Sequence, residues 1–146
     1  MEKKLIWLDL EMTGLDPNAE RIIEIFTAVT NEDLTEIIDG PNIVISQPQE
    51  YIDAMDDWNQ THHGDSGLIE DVLKSKVTQK EAEQETLRFL REHVKKNSSP
   101  LCGNTVWHDR KFLTLYMPEL EDYFHYRCID VSLSLIHISE PTRQHA

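Results

Sequence analysis

The stretch Leu5-Ile-Trp-Leu-Asp-Leu-Glu-Met-Thr-Gly-Leu-Asp-Pro17 decides how this chain is read. Its apolar run predicts a buried first strand over Leu5–Leu10, stopped by Thr13-Gly14 and Asp16-Pro17. Asp9 and Glu11 stand two apart in that strand, so their side chains share one face. Two like charges in an apolar strand are costly unless something positive holds them, and a divalent cation is a common solution. The plainer alternative is an edge strand carrying two solvated acids.

Working outward, Arg21–Val29 reads as a second strand, and Leu34–Ile38 with Asn42–Ser46 as a third, bent at Asp39-Gly40-Pro41. Short turns between them predict an antiparallel meander. From Gln49 the apolar period becomes helical: Leu68, Ile69, Val72 and Leu73 form one face. Thr78 and Glu81 have the spacing of a capping box, opening a helix that carries Ala82, Leu87, Leu90 and Val94 inward. Pro100–Asn104 reads as a short buried strand, and a further helix runs from about Trp107 to Tyr116, before Pro118. The expected fold is α/β with a mixed sheet.

The chain has 146 residues and a formal net charge of −13, with 39% hydrophobic and 28% charged residues. That is one domain of ordinary globular composition. The negative charge argues against tight, sequence-independent binding to long nucleic acid, which relies on many Lys and Arg contacts to phosphate. It leaves room for a nucleotide or very short oligonucleotide held through metal ions. No run approaches the ~20 apolar residues of a membrane helix, and no signal peptide is visible. Cys102 and Cys128 form no metal-type pair, and free thiols suit a reducing compartment, so a cytoplasmic location is expected.

A third acid, Asp109, enters just after the strand at Leu101–Asn104, which is expected to lie beside the first strand. It could join Asp9 and Glu11, or serve as a helix-start acid stabilised by the dipole. Around these acids stand Asp9-Leu-Glu-Met-Thr-Gly-Leu-Asp-Pro17, Met55-Asp-Asp-Trp58, His62-His63-Gly-Asp-Ser-Gly-Leu68, Cys102-Gly-Asn104, Tyr116-Met-Pro-Glu-Leu120 and His125-Tyr-Arg127. In order and spacing these blocks resemble the oligoribonuclease family, within the DEDDh 3′-to-5′ exonucleases of ribonuclease H-like fold. The resemblance runs from about Leu5 to Ser132.

The resemblance implies hydrolysis of very short oligoribonucleotides, such as dinucleotides, with two Mg²⁺ or Mn²⁺ ions over Asp9 and Glu11 and with help from Asp109. It implies that Leu15 and Trp58 clamp the terminal bases, although Trp58 could equally be a core aromatic. His63 and Thr105 match family contacts to phosphate or ribose, with Thr105 where serine is usual. His62 is read as packing or surface. In a homodimer, Tyr126 and Arg127 would reach the 5′ phosphate in the neighbouring subunit. Tyr116, Tyr123 and Phe124 are read as core or dimer packing.

The family pattern also needs a His-x4-Asp near its C-terminus, supplying the general base and a last carboxylate. His125–Asp130 has that spacing but overlaps the His-Tyr-Arg block and follows Asp109 too soon for an intervening helix. Asp130 is read instead as a helix cap. Leu133-Ser-Leu-Ile-His-Ile-Ser-Glu-Pro-Thr-Arg143 resembles a translated transposon-end adapter. The expected domain is therefore 1–132, with its C-terminal helices missing and 133–146 a foreign tail. Such a chain is expected to be catalytically impaired and to expose apolar surface around Phe112 and Leu115. Competing readings are a DNA-acting proofreading exonuclease and a non-catalytic nucleotide-binding fragment.

Overall fold

A computed structural model describes residues 3–131, so the tail at 133–146 lies outside the described residues. The chain runs β1 (Lys4–Met12), β2 (Ile22–Asn31), β3 (Ile37–Val44), α1 (Gln49–Asp53), α2 (Asp57–Asp65), α3 (Leu68–Lys74), α4 (Gln79–His93), β4 (Leu101–Gly103), α5 (Val106–Tyr116), α6 (Pro118–Glu121) and β5 (Cys128–Asp130). The strands form one sheet in the order β3-β2-β1-β4-β5. β1 pairs antiparallel with β2, and β2 with β3, as the meander predicts. β4 then lies parallel to β1, and β5 parallel to β4, so the sheet is mixed.

The two-residue period of β1 sorts its side chains. Ile6, Leu8 and Leu10 are buried in the main core with Ile25 and Val29 of β2. The same core takes Ala82, Leu87 and Leu90 from α4 and Phe112 and Leu113 from α5. Burying each such Leu or Ile side chain contributes about 1.5–3 kcal/mol. α4 begins in the predicted capping box, with the Thr78 hydroxyl accepting from the Glu81 N–H and the Glu81 carboxylate accepting from the Thr78 N–H. A smaller cluster of Ile23, Ile52, Met55, Leu68 and Val72 seats α1 and α3 on the sheet.

Several expectations need correction. The third strand is shorter than expected, Ile37–Val44, and its expected bend is a bulge: Phe26 pairs with Asn42 and Ala28 with Asp39, so the extra residues bow out at Gly40-Pro41. Gly40 is required there because a Cβ would come within 2.6 Å of the Phe89 ring and 2.7 Å of the Thr27 carbonyl oxygen. Leu73 points outward, since the short α3 turns only Leu68 and Val72 fully into the cluster. Phe112 is fully buried beneath the sheet, so only Leu115 of the named pair is exposed. β5 is not among the expected strands, because three residues carry too little pattern to register as one; of its residues Asp130 alone has an expected local role, as a helix cap.

Gly103 sets how closely β4 approaches β1. A Cβ at this position would lie 2.7 Å from the Leu8 carbonyl oxygen, one residue before Asp9. The missing side chain thereby lets the strand that leads into α5 lie against the strand that carries the paired acids.

Candidate active site

Asp9 and Glu11 sit on the face of β1 opposite the main core. The β1–β2 register puts Glu24 directly across from Glu11, an arrangement of like charges that destabilises a sheet unless it is compensated. Asp109 lies in the first turn of α5 and is only 6% exposed. Burial pushes the Asp109 carboxyl up to about 7, with Asp9, Glu11 and Asp130 adding to the rise and a bond to the Leu10 backbone opposing it. Desolvation also raises Asp9, which keeps an open side to solvent. Glu11 is raised by burial and then by Asp9, against a pull downward from His62. Glu24 is raised by burial and Glu11, against a bond to Asn42.

Among the described residues, no Lys or Arg stands within 4.0 Å of Asp9, Glu11, Glu24 or Asp109. Acids held above their ordinary range, facing one another without a cationic side chain, form an oxygen donor set that suits a hard divalent ion. That chemistry is the fit between these residues and a metal.

α2 brings imidazoles to the same place. Asp56 caps it, its side chain accepting from the Asn59 N–H at 2.8 Å. His63 is buried, with Nε2 3.0 Å from the Met12 carbonyl oxygen and Nδ1 4.0 Å from Glu11 Oε1. A carbonyl can only accept, so Nε2 carries the proton and Nδ1 presents its lone pair in the neutral ring. Burial holds His63 below the ordinary histidine range, which favours that neutral form. His62 is exposed and stacks on Trp58, ring centroids 4.8 Å apart and planes 13° from parallel.

Trp58 is 68% exposed and Leu15 78% exposed, so Trp58 is not a core aromatic. The loop bearing Leu15 is anchored from below. Arg21 donates to the Glu20 carbonyl at 2.9 Å, to the Tyr116 hydroxyl at 2.8 Å and to the Tyr51 hydroxyl at 2.7 Å. Its guanidinium lies 4.2 Å from the Tyr51 ring centroid, and the Tyr116 hydroxyl donates in turn to the Pro17 carbonyl. Tyr116 is therefore more than packing: it ties α5 to the Leu15 loop.

Thr105 opens α5 in a left-handed conformation with φ +48°. That is an outlier for a β-branched residue, of the kind that collects at functional sites. Its N–H donates to Asp130 Oδ1 at 3.1 Å and its hydroxyl to the Asn104 carbonyl at 2.7 Å. Asp130 thus closes β5 beside the acid cluster, paired with Gly103 in the β4–β5 register. Val131 after it is helical, and the continuation lies outside the described residues. His125 precedes β5 at its other end, its N–H donating to the Ser99 carbonyl at 2.9 Å. Tyr126 is 75% exposed, with its ring 4.3 Å from that of His125 and the exposed Arg127 guanidinium 5.9 Å away. Tyr126 and Arg127 therefore stand apart from this chain's own acids, lining a cleft of about 510 Å³ with Lys3, Lys4 and Pro100.

The RNase_T exonuclease family model matches residues 6–137. The oligoribonuclease of Shewanella loihica is 56% identical over 131 residues, covering 90% of this chain and 72% of that protein. The oligoribonuclease of Shewanella oneidensis is 59% identical over 128 residues, covering 88% of this chain and 71% of that protein. This chain belongs to the oligoribonuclease family. Among solved structures, a product-bound exonuclease I superimposes over 98% of this chain with a TM-score of 0.65 at 12% identity. A metal-free complex of E. coli exonuclease I with single-stranded DNA gives 0.64 over 97% at 12%. The chain spans about a third of those exonuclease I proteins, at 34% and 31%, and at such identity the likeness concerns the fold.

Seen as an oligoribonuclease-family site, the structure gathers Asp9, Glu11, Asp109, His63 and Thr105 at one end of the sheet, with Leu15 and Trp58 on exposed ground nearby. Glu24 and His62 were missed as neighbours of the acids. The signal for Glu24 lay in the register of the first hairpin, which places it opposite Glu11. His62 follows from Trp58 at i+4 on one helix, a spacing that brings side chains onto the same face.

Proposed function

We propose that this chain is a 3′-to-5′ exoribonuclease of very short oligoribonucleotides, working with Mg²⁺ or Mn²⁺ in a cytoplasmic setting. The observation that carries the reading is the group Asp9, Glu11 and Asp109, raised above their ordinary range with no Lys or Arg within 4.0 Å among the described residues, in a chain of the oligoribonuclease family. Asp9 and Glu11 would hold the ions, with Asp109 assisting from α5. When bound, such ions activate the attacking water and neutralise charge on the departing 3′ oxygen. Leu15 and Trp58 would grip the terminal bases from either side, Arg21 and Tyr116 fixing the loop from which Leu15 projects. His63 and Thr105 would face phosphate or ribose. Tyr126 and Arg127, which lie away from their own acids, would reach the 5′ phosphate held by the partner of a homodimer.

We further propose that the domain is 1–132 and that this 146-residue chain turns substrate over slowly. His125 lies before β5, its N–H bonded to the Ser99 carbonyl, whereas Asp130 closes that strand opposite Gly103 and beside Asp109, which supports reading their spacing as coincidence. His125 therefore offers no base at the acids. The test is binding of a 5′-phosphorylated diribonucleotide with Mn²⁺, run beside turnover. Cation-dependent binding with little release of mononucleotide is expected. Trp58→Ala is expected to weaken binding by about 5- to 150-fold, from the ~1–3 kcal/mol of aromatic–base stacking. Binding that ignores both the cation and Trp58→Ala would refute the site. Rapid cation-dependent cleavage would refute the impairment, and a preference for long DNA would favour the DNA-acting alternative.

A further inference from the structure

Glu11 faces two chemically different neighbourhoods. On one side are the carboxylates of Asp9 and Asp109, an oxygen set. On the other are the imidazoles of His62 and His63, and one ligand atom from each of Glu11, His62 and His63 lies within 4.8 Å of the others. Three points favour a cation on this second side. The Nε2–H of His63 is committed to the Met12 carbonyl, which fixes the tautomer and leaves the Nδ1 lone pair 4.0 Å from Glu11 Oε1. One ring N–H tied to a backbone carbonyl, with the other nitrogen left to coordinate, is the usual posture of a metal-binding histidine. His62 is exposed and Glu11 is half-buried, so both can shift. Closing the group to the roughly 3.3 Å separation of tetrahedral ligands around a 2.0–2.1 Å ion needs only side-chain movement.

We propose that Glu11, His62 and His63 form a second cation site, selective for a borderline-soft divalent ion of the Zn²⁺ class. Two imidazoles and one carboxylate make a three-ligand set that leaves a position open for water. Imidazole suits Zn²⁺, whereas Mg²⁺ prefers oxygen and water, so the two sides of Glu11 select different ions. The sites share Glu11 and cannot both have it in full. Zn²⁺ would draw Glu11 away from Asp9 and pull His62 out of its stack on Trp58, loosening one jaw of the proposed base clamp. The site would therefore be inhibitory. Its existence rests on the geometry of these residues and not on the nuclease reading; only its inhibitory consequence depends on that reading.

The test is calorimetric titration of the purified chain with Zn²⁺, and separately with Mn²⁺, in wild type, His62→Ala and Asp109→Asn. His62 is exposed, so its removal leaves the core intact. We expect Zn²⁺ affinity to fall at least tenfold in His62→Ala and to stay within threefold of wild type in Asp109→Asn, with the reverse order for Mn²⁺. Co²⁺ added in place of Zn²⁺ should give visible absorption bands of a nitrogen-ligated ion that weaken in His62→Ala. Unchanged Zn²⁺ affinity and Co²⁺ bands in His62→Ala would overturn the proposal. So would Zn²⁺ binding lost in Asp109→Asn but kept in His62→Ala, which places the ion among the carboxylates. Loss of Mn²⁺ binding alone would count against the nuclease site and leave this one standing.

Discussion

Asparagine in place of Asp109 is expected to make the metal-free chain more stable and to cripple its proposed hard-cation site. The Asp109 carboxyl titrates near 7 in the fold against 3.8 as its ordinary value. Between those values the unfolded chain gives up the proton while the folded chain keeps it, so folding loses stability as pH rises through this window. Above pH 7 the loss is complete, on the order of 4 kcal/mol. The asparagine side chain cannot ionise, and its oxygen can still accept the bond from the Leu10 backbone. Thermal scans in chelator should therefore show the variant's midpoint above wild type by about 8 °C or more at pH 8, with the gap closing toward pH 4. Mn²⁺ should restore wild type toward the variant and barely move the variant itself. A variant no more stable than wild type at pH 8 would mean that Asp109 is not held against its charge.

The opposite sign is expected three residues along the same helix. Phe112 is fully buried, against the ring of His108 at 5.3 Å and that of Tyr116 at 6.2 Å. Phe112→Ala removes the largest anchor of α5 and leaves a void beside the sheet, costing about 3–5 kcal/mol. A fall in the urea midpoint of matching size, at unchanged slope, is the measurement. Because α5 also presents Asp109 and supplies Tyr116 to the Leu15 loop, Mn²⁺ affinity should fall with it. A loss of less than about 1 kcal/mol, well under the usual cost of emptying such a site, would show that α5 is held elsewhere, for instance through Arg110, which pairs with Glu121 at 3.0 Å.

Much of this was legible in sequence where a period or a cap was long enough to read. The alternation in β1 predicted that Asp9 and Glu11 share a face, and Thr78 with Glu81 announced the start of α4. Tertiary relations were harder. Nothing local says that Glu24 will oppose Glu11, because that depends on where the hairpin turns. Glu83 on α4 reads as a solvent-facing acid, yet it is buried and accepts from the Leu120 N–H at 2.9 Å, supplying α6 with the cap it otherwise lacks. Arg21 likewise reads as a strand-end charge, and only the approach of α1 and α5 makes it a brace between two tyrosines. The strained backbone of Thr105 was invisible because threonine is a poor advertisement for a left-handed turn.

The two rims of the sheet bear on how copies of this chain can meet. β3 forms one rim, and its bulge carries a proline that has no N–H to offer beside a glycine that lets the strand bow. β5 forms the other and offers a ladder only three residues long. Neither rim, among the described residues, presents the long flat edge that strand-to-strand addition requires. Growth of a continuous intermolecular sheet is thereby discouraged. The homodimer proposed above would instead form through side chains projecting from loops and helices, which is where Tyr126 and Arg127 stand.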